Sequence, residues 1–246
     1  MSTLNEKVIL ITGASRGIGA TIARRLARAG AKVIVNYAGS KEPAEKLVEK
    51  IKAAGGNAIA LQADVSQPDQ VRNLFDAAIA YYGQIDVLVN NAGILFNTLI
   101  KDTTDEDFSR IFDINVKGTF NTMREAATRL ADNGSVINFS TSVNRIMLPT
   151  YGPYVATKAA VESLSRVFSK EVGPRGINVN IVSPGPTNTE LFTKGKSEEL
   201  IARLASLSAF NRIGEPDDIA KVVEFLASDD AKWISAQNIG VNGGMA

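Results

Sequence analysis

Apolar and polar positions along this chain follow two alternating periods. Short β-branched runs lack the every-second-residue polarity of a half-exposed strand: Val8-Ile9-Leu10-Ile11, Val33-Ile34-Val35, Ala58-Ile59-Ala60-Leu61, Val87-Leu88-Val89, Val136-Ile137-Asn138-Phe139 and Val179-Asn180-Ile181-Val182. Between them lie longer stretches with helical spacing: Ile18 to Ala29, Pro43 to Ala53, Gln70 to Tyr82, Asp105 to Leu130 and Tyr151 to Glu171. Strands buried on both faces and separated by amphipathic helices predict a parallel sheet covered on both sides. That is the doubly wound, Rossmann-type α/β class. No repeat, low-complexity tract or linker interrupts the pattern, so residues 1–246 are expected to form a single domain. The least regular stretch, Ser183 to Ser197, follows the carboxyl end of a strand, where open α/β sheets bind ligands. It is expected to form a flap over such a ligand.

Composition narrows the chemistry. With 27 basic and 26 acidic residues the net charge is +1, which gives no nucleic-acid or anionic-membrane footprint. There is no cysteine and no histidine. Disulfides, thiolate nucleophiles, Ser-His-Asp triads and His- or Cys-ligated metals are therefore excluded. Acid–base work falls to Asp, Glu, Lys or Tyr. No apolar run approaches the ~18 residues needed to span a membrane. The short polar start, Met1 to Lys7, has no signal-peptide character. A cytoplasmic, soluble protein is expected.

Against that background Tyr154-Val155-Ala156-Thr157-Lys158 stands out. Residues four apart share a helix face, so the phenol and the ammonium can meet in one space. A free tyrosine titrates near ~10, and a neighbouring cation favours its phenolate. Together the two make a general acid/base. A second constellation is Thr12-Gly13-Ala14-Ser15-Arg16-Gly17-Ile18-Gly19, joining the first strand to the first helix. Glycines allow a tight turn and close approach of a pyrophosphate to a helix N-terminus. Gly13, Ser15, Arg16, Gly17, Ile18 and Gly19 are thus candidate dinucleotide ligands. The second strand ends at neutral Asn36, followed by Tyr37, Ala38, Gly39 and Ser40, where an enzyme selecting NAD carries an acid. A 2′-phosphate would meet no carboxylate there and could find Arg16, Ser40 or Lys41. Asp64 and Val65, then Asn91, Ala92 and Gly93, end the next two strands where adenosine and ribose would lie.

Taken in order, Thr12-Gly13-x-x-x-Gly17-x-Gly19, Asn90-Asn91-Ala92-Gly93, Tyr154-x-x-x-Lys158 and Pro184-Gly185 give a chain that resembles the short-chain dehydrogenase/reductase family over nearly its whole length. It looks most like the bacterial branch of 3-oxoacyl-carrier-protein reductases and carbonyl reductases. The resemblance implies a tetrad: Tyr154 as proton donor, Lys158 lowering its pKa and holding the nicotinamide ribose, Asn115 positioning a relay water, and a hydroxyl binding the carbonyl oxygen. Family spacing places that hydroxyl at Thr141. Strand alternation puts Ser140 and Ser142 on one face, and Ser142 is the expected residue. The resemblance also places Pro184, Gly185 and Thr187 beside the cofactor, which is expected to be NADPH. It implies a homotetramer, with Tyr151 to Glu171 and Val241 to Gly244 as candidate contact surfaces.

The expected activity is hydride transfer between NADPH and a small carbonyl or alcohol. Two rivals are a 3-oxoacyl-carrier-protein reductase and a non-catalytic dinucleotide sensor. Leu130 to Ser135 lacks the basic cluster an acidic carrier would seek, and the intact tetrad argues against the sensor. Phe96, Met147, Leu148, Leu191 and Phe192 are candidate apolar walls of the substrate site.

Overall fold

Four consecutive buried apolar side chains, Val8–Ile11, form the first strand, β1, of a computed structural model that describes residues 4–246. The chain continues through α1 (Gly17–Arg28), β2 (Lys32–Tyr37), α2 (Lys41–Ala53), β3 (Asn57–Gln62), α3 (Pro68–Tyr82) and β4 (Val87–Asn90). Then come α4 (Asp105–Phe112), α5 (Gly118–Arg129), β5 (Ser135–Phe139), α6 (Val143–Ile146) and α7 (Gly152–Val172). The last elements are β6 (Asn178–Pro184), α8 (Glu190–Thr193), α9 (Glu198–Ala205), α10 (Pro216–Ala227) and β7 (Asn238–Val241).

All seven strands are parallel, in the order β3-β2-β1-β4-β5-β6-β7. Successive side chains of a strand point to opposite faces. Ile9 and Ile11 therefore join the core under α1, α2 and α10, while Val8 and Leu10 join the one under α3, α5 and α7. Strand order reverses between β1 and β4, which opens a crevice at the carboxyl ends of both. Under that crevice Asn90 and Asn138 lie in register on β4 and β5. Asn90 Nδ2 donates to Asn138 Oδ1 at 2.8 Å, Thr122 Oγ1 donates to Asn90 Oδ1 at 2.7 Å, and Asn138 Nδ2 donates to Ser165 Oγ at 2.7 Å. All four residues are buried, and the donor–acceptor chain joins both strands to α5 and α7.

Two expectations change. The stretch read as one helix from Asp105 to Leu130 is broken by a π-helical turn, Asp113–Lys117, between α4 and α5. One extra residue in a turn leaves the apolar spacing on either side intact, so periodicity does not betray it. The sheet also gains β7, which α9 and α10 precede in the chain, beyond the last expected strand, and α10 packs on it. β7 has only four residues, including a glycine and an asparagine, which makes a faint signal. α10 begins with Pro216 and a reciprocal cap between Glu215 and Asp218. It is tied to α1 by Arg25, whose guanidinium reaches Asp217 at 3.0 Å and also pairs with Glu224. Among the described residues no helix is long and apolar enough to cross a membrane.

Candidate active site

The glycine loop leaves β1 with Gly13 at φ +60° and Gly17 at φ +58°, a left-handed conformation that side chains rarely adopt. A Cβ at Gly13 would lie 2.8 Å from Ala92 Cα, and one at Gly19 would strike the Asn91 amide. The loop is thus packed directly on the end of β4. Asn91 Nδ2 donates to the carbonyls of Thr12 and Gly13, both at 3.0 Å, and Thr12 Oγ1 accepts from Ala92 N at 3.0 Å. Arg16 caps α1 without a side-chain hydrogen bond, and the first turn holds no acid. Its backbone N–H groups and the positive dipole end are left for an anion.

Gly13, Ser15, Arg16, Gly17, Ile18, Asn36, Tyr37, Ala38, Ser40, Asp64, Val65, Asn91, Ala92 and Gly93 all line one cleft. The lining residues differ in what their side chains still offer. Asn36 is buried and fully engaged: its Oδ1 accepts from Gly13 N at 3.3 Å and its Nδ2 donates to the Leu61 and Ala63 carbonyls at 3.2 and 3.1 Å. Asp64 accepts from the N–H and hydroxyl of Ser66. Ser40 caps α2 with its hydroxyl uncommitted to the helix. Arg16 is exposed, with Nη1 3.9 Å from Glu190 Oε2 on α8. These features fit a dinucleotide: the glycines let the loop pack onto the end of β4, and the N-terminal N–H groups of α1 have no side-chain cap and remain for its phosphates.

A second cleft opens from the first, sharing Ile18, Asn91, Gly93, Ile94, Thr189 and Leu191 with it. Tyr154 and Lys158 reach it from α7, Thr141 and Ser142 from the end of β5, and Pro184, Gly185 and Thr187 from the end of β6. Lys158 is buried, and its Nζ donates to the Phe139 carbonyl at 2.8 Å. Burial pulls its pKa down to about 8. Its Nζ lies 5.9 Å from the Tyr154 ring centroid. Tyr154 is partly buried at the wall of the cleft. That burial pushes the phenol up to about 12; the Thr141 hydroxyl acts the other way as a hydrogen-bonding neighbour, and Tyr151 adds to the rise. The expected lowering of Tyr154 by Lys158 is not seen: burial sets the direction, and the Lys158 ammonium is bonded to the Phe139 carbonyl.

Asn115 lies on the π-helical turn and is fully buried. Its Oδ1 accepts from Ile94 N, and its Nδ2 donates to Ile94 O and to Thr157 Oγ1 at 3.1 Å. A Cβ at Gly93 would come within 3.2 Å of Asn115 Oδ1 and 3.5 Å of Lys158 Nζ.

With this geometry in place, a sequence model of the family described as Enoyl-(Acyl carrier protein) reductase matches residues 13–246. The chain is 48% identical over 247 residues to an uncharacterised oxidoreductase of Methylorubrum extorquens, all of both chains being covered. It is 44% identical over 253 residues to a short-chain dehydrogenase/reductase of Pestalotiopsis microspora, covering 98% of this chain and 96% of that one. A short chain dehydrogenase from Burkholderia cenocepacia, solved in complex with NADP, superposes with a TM-score of 0.93 at 35% identity and 99% coverage of each chain. The protein belongs to the short-chain dehydrogenase/reductase family.

In this short-chain dehydrogenase/reductase Ser142 lies beyond the strand. β5 ends at Phe139, and Ser142 has helical backbone angles (φ −66°, ψ −18°), so strand alternation does not reach it. Its hydroxyl donates to the Ser183 carbonyl at 3.1 Å and accepts from Asn242 Nδ2 at 2.9 Å. Thr141 is the hydroxyl that faces Tyr154. Of the expected apolar walls, Leu148, Leu191 and Phe192 line the second cleft; Phe96 does not, and Met147 is 65% exposed. The Ser183 to Ser197 stretch begins as the end of β6 and then crosses both clefts, with the Thr189 methyl against Gly17. Thr187 bridges to Gly214 and turns its hydroxyl to the Gly185 carbonyl at 2.9 Å. Glu190 and Met245 also line these clefts without having been singled out in the sequence. Glu190 lies on a four-residue helix and Met245 follows two left-handed glycines, neither of which has a periodic signature.

Proposed function

We propose that this protein is an NADP(H)-dependent oxidoreductase that interconverts a carbonyl compound and its alcohol, with Tyr154 as the acid/base. The observation that carries the reading is that Tyr154, Lys158 and Thr141 share a cleft continuous with the glycine-loop crevice. When bound, NADPH supplies the hydride. A phenol that holds its proton at neutral pH is suited to donate it to the carbonyl oxygen as negative charge develops there. Thr141 offers the second hydrogen bond to that oxygen. Lys158 keeps two of its three N–H donors beyond the Phe139 bond, available to ribose hydroxyls. Asn115 fixes the Gly93–Ile94 peptide that separates it from Lys158. Gly13, Gly17, Ile18, Asp64, Val65, Asn91, Ala92, Pro184, Gly185 and Thr187 line the path of the dinucleotide, and Gly19, buried against Asn91, supports the loop from beneath.

The preference for the phosphorylated cofactor rests on the end of β2. No carboxylate stands at Asn36, and Arg16 and Ser40 face the same corner. Asn36 serves by its neutrality and by holding Gly13, since its own donors are consumed. The Burkholderia relative, solved with NADP, supports the same choice.

Assembly as a homotetramer in the cytoplasm is part of the proposal. Phe108, Phe120 and Val167 expose apolar side chains on α4, α5 and α7, and β7 pairs on one edge only. Light scattering at micromolar concentration tests it, and a monomer would refute it.

The catalytic reading is tested by following NADPH consumption with a panel of aldehydes and ketones. Carbonyl-dependent turnover in the wild type, lost by about 10²–10⁴-fold in Tyr154→Phe, is the expected result. Equal turnover in both proteins would overturn the assignment.

A further inference from the structure

We propose that the second cleft selects uncharged, largely apolar carbonyl compounds and that Met245 is the wall that sets their size. This rests on Tyr154 as the reacting group and names the substrate class for that site.

Among the described residues that line the cleft, Lys158 is the only charged one, and its ammonium is already bonded to the Phe139 carbonyl. Besides short hydroxyl and amide side chains, the cleft's lining is aliphatic or aromatic, with Ile94, Leu148, Leu191, Phe192, Leu204 and Met245 the large apolar members. Cations do stand close by, but each is committed elsewhere. Arg145 Nη1 donates to the Ala246 carbonyl at 3.4 Å. Lys196 Nζ donates to the Phe192 carbonyl at 2.6 Å and lies over that ring, 4.7 Å from its centroid. Arg212 is paired with Asp218 at 2.7 Å. A carboxylate or phosphate next to the reacting carbonyl would give up its water here and gain no partner, which is the expensive case for a buried charge. A ring or alkyl chain would find apolar contact on several sides.

Met245 is brought to this wall by a turn built for the purpose of holding position. Gly243 and Gly244 both take left-handed angles, φ +64° and +76°, which a chain with side chains there would resist. The turn is pinned on two sides. Ala209 N donates to the Gly243 carbonyl at 2.8 Å. Asn242 Nδ2 reaches both Ser142 Oγ, at 2.9 Å, and the Ala246 carbonyl, at 3.1 Å. Ser142, displaced from the reacting oxygen, thus has a structural place: it anchors the segment that carries Met245. A methionine is an unbranched filler that adapts to an irregular ligand and can be changed without touching the proton-transfer groups.

The test compares phenylglyoxylate with its methyl ester, which differ by one charge beside the ketone. With wild-type enzyme and NADPH, kcat/KM for the ester should exceed that for the acid by about 10²-fold or more. Met245→Lys should narrow that ratio at least tenfold, and Met245→Ala should raise kcat/KM for a naphthyl ester relative to the phenyl one. Acid and ester used within about threefold of each other, or ratios unmoved in both variants, would overturn the proposal. Calorimetry of the wild-type NADP⁺ complex reads the same selectivity with no turnover. Ester binding without acid binding, in a protein that reduces neither, would uphold the selectivity and sink the hydride-transfer reading. Binding of both equally, or of neither, would sink the selectivity.

Discussion

The side chain of Asn115 brackets the backbone of Ile94 on both sides of its Cα, with Oδ1 accepting from its N–H at 2.8 Å and Nδ2 donating to its carbonyl at 3.0 Å. The π-helical turn supplies the displacement that brings it there. Ile94 lines both clefts, so the bracket sets the wall they share. Asn115→Ala leaves two part-buried backbone groups without their side-chain partners, a loss of up to about 1–3 kcal/mol for each. A lower urea midpoint is expected together with a higher KM for NADPH. An unchanged KM in a folded Asn115→Ala protein would show that the bracket serves stability alone.

Thr141 and Ser142 are adjacent but face different partners. Thr141→Val keeps the shape and removes the hydroxyl that faces Tyr154, so turnover with saturating NADPH should fall on the order of 10²–10³-fold. Ser142→Ala removes the anchor to Asn242 and should alter substrate preference more than rate. Collapse of Ser142→Ala with a near-normal Thr141→Val would return the assignment to Ser142.

Burial moves Lys158 and Tyr154 in opposite directions, and each leaves a signature in stability against pH. Lys158 titrates at about 8 when folded against 10.5 for the free side chain. Between those values the unfolded chain binds the extra proton, so this group's contribution rises with pH from about 8 to 10.5. Tyr154 titrates at about 12 when folded against 10.0 free, so the folded chain holds the extra proton above pH 10.0, and its contribution falls with further rise. The difference in urea midpoint between wild type and Lys158→Met should therefore change between pH 8 and 10, in favour of the wild type. A difference independent of pH would mean that the ammonium is not desolvated.

Arg16 and Glu190 place opposite charges at the corner assigned to the 2′-phosphate. Arg16→Ala should weaken NADPH by roughly ten- to a hundredfold, the size of a charge-assisted contact, and leave NADH almost unaffected. Glu190→Gln removes the competing carboxylate. Both side chains are largely exposed, so tightening should stay within about fivefold. Equal losses for both cofactors in Arg16→Ala would remove the phosphate from this corner.

How much of this was legible in the sequence depends on the kind of signal. Val8–Ile11 through β6 announce themselves, because a strand buried on both faces must be apolar throughout. The glycine loop and the Tyr154–Lys158 pair also keep their meaning, since a helix fixes where a residue four positions on will stand. What stayed hidden depends on contacts with no local period. The π-helical turn adds one residue without disturbing the apolar stripe. Asn36 reads as a ligand by position, but its amide is consumed by Gly13, Leu61 and Ala63. Ser142 was expected by strand alternation, and the strand stops three residues too soon. Met245 reaches the cleft only through the Gly243–Gly244 turn.

The Asn90–Asn138 pair has a consequence beyond the two bonds it makes. Sliding β5 by two residues along β4 would keep the apolar faces apolar and cost the sheet little in ladder bonds. It would, however, break the bond between the two amides, setting Asn90 against Val136 in one direction or Asn138 against Leu88 in the other, in the dry core. One unsatisfied amide costs about 1–3 kcal/mol, so the pair acts as an alignment pin for the two strands. Those strands end in Asn91–Ile94 on one side and Ser140–Thr141 on the other. The pin fixes how far each end projects, so the relative height of the two lips of the crevice is set by two asparagines deep below it.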